Sequence, residues 1–302
     1  MINQPILDLW PDFVPLWIEL NKIAPGFQLA GGYGLFLKQR WLLTEPAIPV
    51  LVPLEHWHNS QPRATRDLDV IVELDFIASR SNHEQIDTLF KAQGFSAVPG
   101  RERWKFERKI EPGRTIILDL LAPKPDEART DLQSDGSRVK PRPRLKSIGI
   151  HGHQNTEIVG NELYTLTFTL DDAVITVPNP VTYAIMKMVA ARDRLYKSRD
   201  PEKGEEARRE EEGQARKHTE DVYRVLAMMT RDESDRASEI LAEIRTTLAY
   251  QDACSIYIGH FAAADSWGSQ NIAAQWTPED FTQMQGVLAS WFSPISNGTE
   301  RE

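Results

Sequence analysis

Apolar positions recur at helical spacing first over Pro11 to Lys22, where Phe13, Leu16, Trp17 and Leu20 mark one buried stripe. An apolar run, Phe27 to Ala30, then meets Gly31-Gly32, and the stretch beyond it through Leu35, Phe36 and Leu37 reads as a helix. Trp41 to Ser60 is punctuated by prolines and predicts a long loop with little regular structure. Leu68 to Leu74 is a strand by its Leu, Val and Ile content, and His83 to Gln93 is a helix with Ile86, Leu89 and Phe90 inward. Trp104–Lys109 and Thr115–Leu121 predict two neighbouring strands turned by Glu111-Pro112-Gly113. The texture changes at Pro178-Asn179-Pro180, after which the chain is mostly helical to Phe292. Arg199 to Gln214 interrupts that half with mixed charge, as a solvated loop or exposed helix. The expectation is an α+β chain: a mixed sheet domain with flanking helices over residues 1–178, then a mainly helical domain over 179–302. No internal repeat is visible.

Composition narrows the class. Among 302 residues, 35 Lys and Arg face 44 Asp and Glu, a formal charge of −9. Non-specific coating of nucleic acid is therefore excluded, and any nucleic-acid contact needs a local patch. One cysteine, Cys254, removes any internal disulfide framework. The start, Met1-Ile2-Asn3-Gln4-Pro5, lacks the basic and apolar pattern of a signal peptide, and no apolar run is long enough to span a bilayer. A cytoplasmic protein with no membrane partner is expected.

Three features carry chemistry. Gly31-Gly32 precede a helix, so the backbone there can approach a phosphate held by the helix N-terminus. Asp67 and Asp69 open an apolar strand and point to one face, because side chains alternate with a period of two. Alone, such a pair reads as two solvated acids; together with a phosphate turn it reads as a hard-oxygen site suited to Mg²⁺. Asp119 lies inside the apolar strand Thr115–Leu121 and needs a partner, a metal or an edge position facing water. Up to three carboxylates could then hold two metals around an in-line phosphoryl displacement.

With these residues the sequence resembles the DNA-polymerase-β-like nucleotidyltransferase superfamily. Arg63-x-Thr65-Arg66-Asp67-Leu68-Asp69 is similar to the motif of the AbiEii/AbiGii abortive-infection toxin family. The resemblance spans roughly Leu29 to Leu226 and adds Lys187 on a later helix and Asp221 on the next. The long spacing between Gly32 and Asp67 departs from the family, with the excess in the Trp41–Ser60 excursion. The resemblance implies that Gly31, Gly32, Arg63, Thr65, Arg66 and Lys187 handle an NTP, and that Asp67, Asp69 and Asp119 hold Mg²⁺ or Mn²⁺. Asp119 is expected to take the second metal or the acceptor's proton, Lys187 to steady the triphosphate, and Asp221 to position Lys187 or activate the acceptor. It also implies a toxin whose acceptor is the tRNA 3′ end, opposed by an antitoxin.

The residues themselves leave alternatives open. Lys187 reads either as a charge for the triphosphate, assisted by Arg192 or Arg194, or as half of an internal ion pair with Asp221 or Asp193, and for Arg192, within the apolar stripe, the ion pair is the better reading. His218 beside the same stripe reads as satisfied structure, and His151-x-His153 is a weak metal signal. Arg138, Lys140, Arg142, Arg144 and Lys146 alternate; if extended they face one way and could track an RNA backbone, or they pair with the chain's surplus acids. The acceptor could instead be a protein hydroxyl or an aminoglycoside-like small molecule. A non-catalytic nucleotide-binding protein of the same fold is the remaining alternative.

Overall fold

The computed structural model describes residues 9–58, 67–111, 114–143 and 150–294. In chain order they form α1 (Trp10–Ile23), β1 (Gln28–Leu29), α2 (Gly31–Thr44), a 3₁₀ turn (Leu54–His56), β2 (Asp67–Ile71), α3 (Leu74–Ala78), α4 (Arg80–Ala92), β3 (Ser96–Ala97), β4 (Lys105–Glu111) and β5 (Arg114–Ala122). Then come β6 (Leu132–Ser134), β7 (Arg138–Pro141), β8 (Gly152–Gln154), β9 (Thr165–Leu170) and β10 (Ala173–Pro178). The helical remainder is α5 (Pro180–Ser198), α6 (Glu205–Ala227), α7 (Arg231–Ile244), α8 (Leu248–His260), α9 (Trp267–Gln270) and α10 (Pro278–Phe292). This is the mixed α/β chain with a helical C-terminal portion that the patterning predicts. No helix among the described residues is long and apolar enough to cross a membrane.

The chain divides into two compact units, with breaks after Ala47 and after Asn179; residues 48–58 belong with the second. In the first unit the main sheet runs β1-β2-β5-β8-β7-β6, with β4 also on β5 and β3 on β4. β2 and β5 are parallel, with Leu68 opposite Leu118 and Val70 opposite Leu120. These four are fully buried on one face, each burial contributing about 1.5–3 kcal/mol. The alternation that buries them sends Asp67, Asp69 and Asp119 to the other face.

A separate hairpin, β9-β10, escaped the sequence reading although Thr165–Leu170 alternates polar and apolar residues. Its two-residue turn is Asp171-Asp172, both at positive φ (45° and 67°), the backbone of a primed turn without the usual glycine or asparagine. Arg40 donates to the Asp171 carboxylate at 2.6 Å. Trp17 Nε1 and Asn21 both donate to the Val174 carbonyl, tying α1 to β10.

The excursion is more ordered than its prolines suggest. Helix α2 continues through Thr44, because Leu42 is buried and Trp41 stacks on Phe168 at 4.8 Å between centroids. Farther on, Leu51 and Val52 donate to the carbonyls of Met229 and Ala227, and Trp57 packs edge-on to Trp276 at 4.9 Å. In the helical unit, α5 and α6 pack as neighbours, and the stripe Val181, Ala184, Ile185, Met188 and Leu195 is buried. The charged stretch ahead of Gln214 is a turn followed by the exposed start of α6.

Candidate active site

The site is built on the β1–α2 turn and its neighbour β2. Ala30 N donates to Asp69 O at 2.8 Å, which closes the end of the β1-β2 pairing. The chain then turns at Gly31, whose φ of +63° an L side chain rarely adopts. A Cβ built at Gly31 would collide with the Asp69 carboxylate. The Asp69 side chain therefore packs against a glycine at the first turn of α2. Ala30 provides no side-chain cap there, so the first N–H groups of α2 receive no hydrogen bond from the residue that opens it. Asp67, two positions earlier on the same face, is exposed.

Register adds the next members. Asp69 lies opposite Asp119 on parallel β5, and Asp119 lies opposite Lys105 on antiparallel β4. Cross-strand partners share a face, so Asp69, Asp119 and Lys105 form one row across three strands. Lys105 Nζ donates to Asp119 Oδ2 at 2.5 Å, with side chains 18% and 17% exposed. Asp119 thus faces the acidic side, as required of it, but its carboxylate is engaged by Lys105. Lys105 was missed by the sequence reading; a cation opening a strand carries no signal until the register is known.

His153 on β8 stacks on Trp104 at 6.3 Å. Its pKa is lowered by burial, against an opposing pull from Asp119. The Arg138 guanidinium sits 5.8 Å from the centre of the Trp104 ring. β7 is extended as the alternation requires, but Arg138 and Lys140 each donate to Asp135 Oδ2 at 2.8 Å. The first two cations of the strip therefore have an acid of this chain as partner. Arg142 is exposed. Arg63, Thr65, Arg66, Arg144 and Lys146 lie outside the described residues.

In the helical unit Lys187 Nζ donates to Asp221 Oδ2 at 2.9 Å, and the two side chains are 8% and 4% exposed. His218, one turn before Asp221, is pushed down to about 3, first by burial and then by the Lys187 charge; its Nδ1 is buried without a hydrogen-bond partner. Arg192 pairs with Asp193 and Asp252, and Arg194 with Glu211.

Among the described residues no group of three or more His, Cys, Asp or Glu side chains is arranged to hold a metal ion. Asp67 and Asp69 still fit a smaller role, since Mg²⁺ is commonly held by one or two carboxylates together with substrate phosphates. With Asp119 on Lys105, the fit is to a two-carboxylate site beside the start of α2.

No protein-family model matches the chain, and no curated protein matches it significantly. Among solved structures, an antigenic nucleotidyltransferase-like protein from Paracoccidioides brasiliensis is similar at 10% identity, with 85% of this chain and 97% of that one covered and a TM-score of 0.35. The likeness is coarse, and the AbiEii/AbiGii resemblance stands on the residues alone.

Proposed function

We propose that the chain is a Mg²⁺- or Mn²⁺-dependent nucleotidyltransferase that moves a nucleoside monophosphate from an NTP to an acceptor hydroxyl. The observation that carries this is the packing of the Asp69 carboxylate on positive-φ Gly31, with Asp67 on the same face of β2. It puts a carboxylate pair beside backbone N–H groups able to take phosphate oxygens. Asp67 and Asp69 would hold the divalent ion, which supplies neutralisation of triphosphate charge. Gly31 and Gly32 leave room for the phosphates to approach the backbone. The acceptor oxygen forms a bond to the α-phosphorus, the bond to the bridging oxygen breaks, and pyrophosphate leaves; Asp119, in register with Asp69, is the group assigned the acceptor's proton. From the resemblance, Lys187 is assigned to triphosphate charge and Asp221 to positioning it; their 2.9 Å bond supports the pairing.

For the acceptor, the resemblance favours RNA at the tRNA 3′ end, in a toxin opposed by an antitoxin. Arg138 over Trp104 adds a ring and a cation of the kind that stack on bases. A protein hydroxyl or small molecule has one observation in its favour, the neutralisation of Arg138 and Lys140 by Asp135. The test is incubation with each α-phosphate-labelled NTP, Mg²⁺ and total RNA, with Asp69→Ala as control. Labelled RNA of tRNA size that disappears with Asp69→Ala is the expected result. Label on protein moves the acceptor to a side-chain hydroxyl. No Asp69-dependent label on RNA, protein or an aminoglycoside overturns the enzymatic reading.

A further inference from the structure

The resemblance implies a second divalent ion on Asp119, and the surroundings of Asp119 do not fit one. Asp119 is directly opposed to Lys105 in the antiparallel β4–β5 register, which continues unbroken to the pair Lys109 and Thr115. A bond from Leu120 N to Trp104 O at 2.7 Å holds the same end of the two strands. Strand pairing therefore brings the two side chains together. Both are largely covered, and Lys105 Nζ lies 2.5 Å from Asp119 Oδ2. Mg²⁺ sits about 2.0–2.1 Å from each of its oxygen ligands, so the ammonium takes up the room that an ion on this oxygen would need.

The ammonium also brings charge of the sign that an ion would bring. In a two-ion centre one ion serves the attacking oxygen and the other the leaving oxygen. A fixed cation aimed at the charge that develops on a transferring phosphoryl group does related work. Lys105 has three N–H donors, of which one is given to Asp119. Its place is set by the register of β4, in the same row as Asp69.

We propose that Lys105 takes the place of the second ion: the centre accepts one divalent cation, on Asp67 and Asp69, and the Lys105 ammonium supplies the positive charge at Asp119. The inference rests on the nucleotidyltransferase reading. The bonds made and broken in the transfer are unchanged, with the acceptor's proton going to Asp119 and pyrophosphate leaving. What changes is the cation that faces the acceptor oxygen.

The test counts Mn²⁺ on the full chain by electron paramagnetic resonance, taking the ions lost on Asp69→Ala as those of the centre. Wild type should hold one. Lys105→Gln, which keeps a neutral hydrogen-bond donor for Asp119, should hold two, with the broadened spectrum of ions about 3.5–4 Å apart. Adding Asp119→Asn should return the count to one. Lys105→Arg, which keeps the charge, should also hold one, a distinction between charge and neutral donor that a merely structural Lys105 does not produce. Two ions in wild type or in Lys105→Arg, one in Lys105→Gln, or a second ion indifferent to Asp119→Asn overturns the inference and leaves the transferase reading standing. No Asp69-dependent ion in any of these proteins overturns that reading and the inference together.

Discussion

Replacing Gly31 by alanine tests the geometry on which the active-site assignment rests. Two costs add at this position. An L residue held in the left-handed region costs about 1–2 kcal/mol, and forcing a methyl into occupied space costs typically about 1–3 kcal/mol more. The first cost can be matched elsewhere: Gly100 has φ +78° and nothing within 4 Å of an added Cβ. Gly31→Ala should therefore be less stable than Gly100→Ala by about 1–3 kcal/mol, the collision alone. Asp69→Ala removes the colliding carboxylate and leaves its Cβ 3.0 Å from the new methyl. In that background Gly31→Ala should recover most of the difference, measured as a double-mutant cycle from urea unfolding midpoints. The same shift of Asp69 should lower labelling by about a hundredfold, the penalty of an ångström-scale misplacement. Gly31→Ala no less stable than Gly100→Ala, or a coupling to Asp69 below about 0.5 kcal/mol, would refute the packing of Asp69 on this turn.

Lys105→Met should free the Asp119 carboxylate, costing about 1–3 kcal/mol in thermal unfolding and tightening Mn²⁺ binding measured by electron paramagnetic resonance; unchanged or weaker Mn²⁺ affinity would separate Asp119 from the metal site. Lys187→Met should destabilise by about 3–5 kcal/mol by removing the cation from a buried carboxylate, and adding Asp221→Leu should restore part of it; a double variant as unstable as the single would show that the carboxylate is held by its other contacts. His151, which burial pushes down to about 3, and His218, also held at about 3, are neutral in the fold and gain a proton near pH 6.5 only on unfolding. Stability is then fully present above about pH 6.5 and falls as pH drops toward 3, by up to about 1.4 kcal/mol per pH unit for each. His218→Gln should flatten urea-midpoint profiles between pH 7 and 5, and an unchanged slope would show that His218 titrates normally.

The period-two pattern of Asp67-Leu68-Asp69-Val70 already gives both the buried face and the acidic one, because it depends only on strand geometry. What joins Asp69 to Asp119 is a parallel register between segments separated by α3, α4 and two strands, and no local spacing encodes it. The Lys105 pairing is hidden for the same reason, although its strand is legible. Gln28 and Asn161 meet at a separation of 133 residues, so their contact has no sequence signature at all. The 48–58 segment reads as loop because its prolines silence the usual periodicities, while its bonds to Ala227 and Met229 fix it in the helical unit.

The row Asp69–Asp119–Lys105 also carries its own electrostatic logic. Carboxylates on adjacent strands repel, and in a half-buried setting that repulsion is screened less than at an open surface. Lys105 offsets it by neutralising Asp119. On the proposed function, a divalent cation on Asp67 and Asp69 would offset the same repulsion from the other end. The two compensations would act on one acidic row, and a cation near Asp119 would favour its ionised form. Lys105→Met would leave the whole of that compensation to the cation, so Mn²⁺ should bind more tightly to the variant than to the wild type.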